Sequence, residues 1–110
     1  MSETYRKEIV QHIIRSLLHI QLLRIIYSKP TWGYHIKKHV DAEFNIKLRH
    51  GALYPALNQL EQKGLVVSSN QLVGRRVRKV YTITENGKTY LQTYYNIVKA
   101  EIDNSQKQDA

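Results

Sequence analysis

The apolar residues of this chain change their spacing twice, and no other feature constrains the fold as much. Up to Lys63 they recur at steps of three and four. Between Leu65 and Thr84 they alternate, Leu65 with Val67 and Tyr81 with Ile83, and from Glu85 the helical step returns. Residues three and four apart share a helix face, whereas alternate residues share a strand face. The pattern therefore predicts a mainly α fold carrying one small β-hairpin, 65–84, placed before a last helix. Strands over Leu65 to Ser69 and Val77 to Thr84 leave Asn70 to Gly74 for the turn.

The helical stretches can be bounded from their punctuation. One long helix is expected over 5–27, where apolar pairs such as Ile13 with Ile14 and Leu22 with Leu23 recur, and it stops before Pro30, which cannot continue it. Its apolar stripe is wider than one core requires, which leaves surface for a second subunit. A short helix follows over 33–44 on Ile36, Val40 and Phe44, then a connector from Asn45 to His50. The next helix, 51–63, turns Leu53, Ala56, Leu57 and Leu60 inward and ends at Gly64. Pro55 is tolerable only in a first turn, whose N–H groups have no internal partner, so the helix must begin close to Gly51. Thr84 suits the cap of the last helix, 85–103, and the tail from Asn104 is polar enough to fray.

A helix pair with a short connector followed by a hairpin is the winged form of the helix-turn-helix, here with long N- and C-terminal helices. The 110 residues make a single domain, 1–110. Seventeen Lys and Arg against nine Asp and Glu leave a formal charge of +8 at pH 7, which suits a polyanion as partner, although a basic solvated surface fits equally well on charge alone.

In this architecture 51–63 is the helix that enters the major groove. A step of 3.6 residues per turn directs Gly51, Pro55, Asn58 and Gln62 outward, with Tyr54 on the shoulder and Arg49, His50 and Ala52 at the entrance. Asn pairs bidentately with adenine, so Asn58 is the first candidate for base reading; an ordinary surface polar residue is the competing explanation. Arg75, Arg76, Arg78 and Lys79 cluster at the hairpin, with no acid between Leu65 and Val80. They suit a wing lying over phosphates or probing the minor groove, and they also suit a charged strand edge that resists aggregation. Lys37 and Lys38 would meet the DNA backbone where the 33–44 helix crosses it, or form a solvated face. On the last helix Leu91, Tyr95, Val98 and Ile102, with Tyr94 beside them, have the spacing of a coiled-coil seam and are the expected homodimer contact.

Three segments resemble the PadR family of transcriptional regulators. They are Pro30, Thr31, Trp32, Gly33, Tyr34, His35, Ile36; then Leu53, Tyr54, Pro55, Ala56, Leu57 with Glu61, Gln62, Lys63, Gly64, Leu65; and Tyr81, Thr82, Ile83, Thr84, Glu85, Asn86, Gly87. The resemblance implies a winged helix-turn-helix dimer that represses promoters, with the terminal helix at the dimer interface. It departs from the family at Ala52, where Ser or Thr is usual before the recognition-helix leucine. The single terminal helix resembles the short branch of the family.

Other classes fit poorly. No cysteine is present, so neither a disulfide framework nor a thiolate zinc site can form. His35 and His39 have a zinc-like spacing but no third ligand follows, and no metal or cofactor is expected. There is no Gly-rich phosphate loop and no nucleophile elbow, so an enzyme is not expected. The apolar stretch from Ile13 to Tyr27 is broken by Arg15, His19, Gln21 and Arg24, unlike a membrane span or a signal peptide, and a cytoplasmic protein without a membrane partner is expected. Trp32, Tyr90, Tyr94 and Tyr95 read first as core or interface and second as the wall of a pocket between subunits for a small aromatic effector, whose identity the residues do not specify. The expected function is that of a sequence-specific regulator of double-stranded DNA, a homodimeric repressor. The alternatives are an architectural, chromatin-type DNA protein and, more distantly, an RNA-binding one.

Overall fold

A computed structural model describes residues 2–109, with side chains described through residue 105. Its first helical segment is not the single rod that periodicity predicts. It is two helices, α1 (Ser2–Ser16) and α2 (Leu18–Ser28), bent by 81° at Leu17. Leu17 leaves the helical region at φ −121° and ψ 30° and caps α2 without a side-chain hydrogen bond. No Pro or Gly marks the break. The reason lies in packing. Ile20, Leu22, Leu23, Ile25 and Ile26 bury α2 in the core on several sides, whereas α1 buries only Val10 fully. The bend brings Val10 and Ile14 over Phe44, Ile46 and Leu48, around a shared cleft. No single helix among the described residues is long and apolar enough to cross a membrane.

After α2, Lys29 and Pro30 lead in extended backbone to β1 (Thr31–Trp32), a strand that the spacing does not reveal. It is followed by α3 (Gly33–Phe44), α4 (His50–Gln62), β2 (Val66–Val73), β3 (Arg76–Ile83) and α5 (Glu85–Asp109). The architecture is thus mainly helical with a small antiparallel sheet in the order β1-β3-β2. β1 joins through Thr31 opposite Tyr81 and Trp32 opposite Val80. The hairpin is longer and its turn tighter than the expected Asn70 to Gly74 loop. Val73 pairs with Arg76, leaving only Gly74 and Arg75 to turn, and Gly74 adopts the φ of +63° that a two-residue turn can require at its first position.

Leu22, Leu23, Ile26, Ile36, Val40, Leu53, Leu57, Leu60 and Val66 form the dry centre, where α2, α3, α4 and the base of the sheet meet. Each such side chain contributes roughly 1.5–3 kcal/mol by leaving water. Thr84 ties α5 to this body: its Oγ1 accepts from the N–H of Gly87 (3.0 Å) and donates to the carbonyl of Gly64 (2.7 Å). α5 then continues to Asp109, past the expected end at Asp103 and through the segment expected to fray.

Candidate nucleic-acid interface

The helix pair is set by the turn between α3 and α4. Asn45 takes a left-handed conformation at φ 52° and ends α3, its N–H bonded to the carbonyl of Asp41, as Asn can do where most residues cannot. The Asp41 carboxylate then reaches across the turn, accepting from the N–H of Leu48 (2.7 Å) and from Nζ of Lys37. Burial alone would raise the Asp41 carboxyl. The hydrogen bonds from Lys37 and Leu48, with the charges of Lys37 and Lys47, outweigh it and hold the group below the usual carboxylate range. Asp41 was not among the expected site residues: its partner Leu48 lies across a turn that spacing does not describe, although Lys37 sits one helical turn before it.

This bond occupies Lys37: its ammonium is paired with Asp41 and its side chain is only 14% exposed. Lys38 is exposed and lies 5.7 Å from the centre of the Tyr34 ring.

On α4 the division into two faces is clean. Leu53, Ala56, Leu57 and Leu60 are buried, while Gly51, Ala52, Tyr54, Pro55, Asn58 and Gln62 are exposed, as are Arg49 and His50 at the entrance. Arg49 stands at the N-cap without a side-chain cap bond. His50 and Tyr54 stack with ring centres 5.7 Å apart and planes inclined by 6°. Gln59, also exposed, is turned toward α2 by a 2.8 Å hydrogen bond with His19. Asn58 thus keeps its amide free among the described residues, while the neighbouring amide is occupied.

The four wing cations separate into two kinds. Arg75 and Arg76, at the turn, are exposed and make no ion pair among the described residues. Arg78 instead lies half-buried over the Trp32 ring, 5.8 Å from its centre, and Lys79 lies 3.4 Å from the Glu61 carboxylate. Glu61 also accepts from the Ser68 hydroxyl, which with Lys79 holds its carboxyl below the usual range. Arg78 and Lys79 therefore brace the wing against β1 and α4. Trp32 Nε1 and Arg78 Nε are buried without a hydrogen-bond partner. His35 also packs near Trp32, at 5.2 Å between ring centres; burial, then the charges of Lys29, His39 and Lys38, keep its imidazole below the usual value.

The seam expected on α5 needs one correction and one extension. Leu91 is buried in the subunit's own core and is not available to a partner, and Tyr94 packs partly against that core. Tyr95, Val98 and Ile102 remain wholly or partly exposed, and Ile97, which the heptad reading omits, is 62% exposed. Tyr90, Tyr94 and Ile97 line an apolar groove of ≈ 500 Å³ with Leu17 and Ile20. Tyr95 lines a separate cleft with Arg24 and Tyr27, and Trp32 lines neither of these two clefts of the single subunit.

With this geometry in place, the likeness to known proteins is specific. A family described as the transcriptional regulator PadR-like family matches residues 22–93. The chain is 46% identical to a transcriptional regulator of Mycobacterium tuberculosis over 41 residues, a span of 37% of this chain and 38% of that one. A PadR family transcriptional regulator from Eggerthella lenta superposes with a TM-score of 0.75 over 96% of this chain and 93% of its own, at 25% identity. A PadR-like transcription factor from Bacteroides fragilis gives 0.74 over 94% and 99% at 19% identity, a likeness of fold alone. The match from the buried helix α2 through the wing and into α5 covers every element that builds the exposed face of α4, and the chain belongs to the PadR-like family of transcriptional regulators.

Proposed function

We propose that this protein is a homodimeric, cytoplasmic repressor that reads short pseudo-palindromic operators in double-stranded DNA. In this reading Asn58 contacts base edges from α4, with Gly51, Pro55 and Gln62 allowing close approach to the major groove. Arg75 and Arg76 hold the neighbouring backbone, and Lys38 supports α3 where it crosses the strand. The carrying observation is the juxtaposition of an exposed α4 face, free of acid at Gly51, Pro55, Asn58 and Gln62, with a wing tip whose two arginines have no partner among the described residues. Base edges confer specificity and phosphates confer grip, and the two kinds of contact come from different elements.

Dimerisation through α5 gives the two-fold symmetry that a pseudo-palindrome requires. Tyr95, Ile97, Val98 and Ile102 supply its apolar surface, continuous with the groove against Leu17 and Ile20. Footprinting on genomic fragments tests the whole reading. A repressor protects one or a few short two-fold sites, whereas uniform coating would assign the protein an architectural role.

A further inference from the structure

We propose that the wing tip carries an apolar wedge, Leu72 backed by Val77, that enters the minor groove, opens a base step and bends the operator. The proposal rests on the DNA-binding reading above and adds a second, shape-reading element to it.

Leu72 and Val77 face each other across the hairpin. They are 73% and 70% exposed, the most exposed of the large apolar side chains described. Alternation puts them on the sheet face that nearer the body carries Val66, Ser68, Tyr81 and Ile83. There that face is buried or half-buried; past the Asn70–Lys79 pair nothing in the subunit covers it. The core therefore does not account for two aliphatic side chains at the tip, and the ladder holds them out rather than folding them in.

The surroundings of the pair identify its partner. Gly74 and Arg75 form the turn, Arg76 follows, and no acidic residue occurs from Leu65 to Val80. Arg75 and Arg76 pair with no carboxylate among the described residues. An aliphatic pair next to a turn with two free guanidiniums, Arg75 in the turn and Arg76 on the opposite sheet face, suits a surface with apolar faces between two rows of negative charge, which is what stacked bases between phosphates present. Architectural proteins use leucine among other apolar side chains to unstack a base step, and the resulting kink widens the minor groove. Widening is needed here, since a two-stranded tip with strands about 4.8 Å apart, before side chains are added, must enter a groove about 6 Å wide. Flexible pyrimidine–purine steps yield most readily, so the wedge would favour TA or CA/TG at a position that α4 does not touch.

The test uses the full-length protein and a duplex carrying a footprinted site, with fluorophores at its two ends. Wild-type protein should shorten the end-to-end distance. Leu72→Ser combined with Val77→Ser should bind the same duplex at least tenfold more weakly, leave it straighter, and lose any preference for TA or CA/TG at the wing position. Both positions are exposed, so the fold is not at risk, and unchanged sedimentation should accompany the change. Unaltered bending and affinity in the double variant would overturn the wedge while leaving the regulator reading intact. A change in oligomeric state in place of bending would make the pair a protein contact and also overturn it. Failure of the wild type to protect any DNA would overturn both readings.

Discussion

The ring of Tyr54 fills the space that a side chain at position 33 would need: a Cβ on Gly33 would lie 2.7 Å from Tyr54 Cε1. Gly33 opens α3 and Tyr54 stands on the shoulder of α4, so this contact lets the helix pair close together at the edge of the exposed face of α4. The glycine accommodates this close approach; no unusual backbone angle calls for it. Gly87 shows the same principle against a harder neighbour, because a Cβ there would collide with the Leu65 carbonyl oxygen, which belongs to the backbone.

The two glycines should therefore respond differently to alanine. Tyr54 is 41% exposed and can swing aside, so Gly33→Ala should fall at the low end of the roughly 1–3 kcal/mol cost of overpacking while weakening operator binding by displacing the ring. Gly87→Ala should reach the upper end, since a carbonyl in the junction between α4 and β2 cannot yield. Urea melts and DNA titrations on both variants separate the cases, and equal losses of stability would contradict this account.

Wing and reading helix should fail in different ways. Arg75→Ala or Arg76→Ala should weaken operator and random DNA about equally and lower the salt slope by about one for each phosphate left unneutralised in each subunit. Asn58→Ala should spare random DNA and cost about 1–3 kcal/mol on operator per contacted base. Arg78→Ala should lower the salt slope less, because its guanidinium lies over Trp32, and should instead loosen the wing. Titrations at several salt concentrations check all four variants; altered base preference in the arginine variants, with none in Asn58→Ala, would move specificity to the wing.

Replacing Ile97 and Ile102 together by Asp should give monomers in sedimentation. Both are at least half exposed in the subunit, so the change attacks the proposed interface and spares the core, whereas Leu91→Asp would unfold the chain. Each large apolar side chain buried between subunits contributes roughly 1.5–3 kcal/mol. A dimer that survives the double change has its interface elsewhere.

Acid should loosen the helix-turn-helix through Asp41. Its folded pKa lies below the unfolded value, so its contribution to stability is complete above the usual carboxylate range near about pH 4 and is lost as the pH falls through the lower folded value. Glu61, held down first by the Ser68 hydroxyl, acts in the same direction at the wing. Urea midpoints measured from pH 6 to pH 3 should fall, and Asp41→Asn should flatten part of that fall. Asp41→Ala should cost about 1–3 kcal/mol near neutral pH, because the Leu48 N–H loses its acceptor. A variant with the wild-type pH profile would show that the carboxylate does not brace the turn.

The order of helices and hairpin, the start of α4 near Gly51, the cap at Thr84 and the outward face of Asn58 were all written in local sequence. Each depends on residues within a few positions of one another: a proline that only a first turn accepts, a hydroxyl that meets its own helix's N–H groups, a period set by backbone geometry. Tertiary structure alone decided the bend at Leu17, because no Pro or Gly marks it and only the burial around α2 produces it. It decided β1, since two residues carry no period and are a strand only by pairing with Tyr81 and Val80. It also decided which cations stay free. Arg78 and Lys79 look like Arg75 and Arg76 in sequence, yet Trp32 and Glu61 engage the first two. Leu91 likewise was assigned to the subunit core rather than the dimer seam by packing beyond its own helix. Charge pairing and burial between distant segments exist only once the chain has closed on itself.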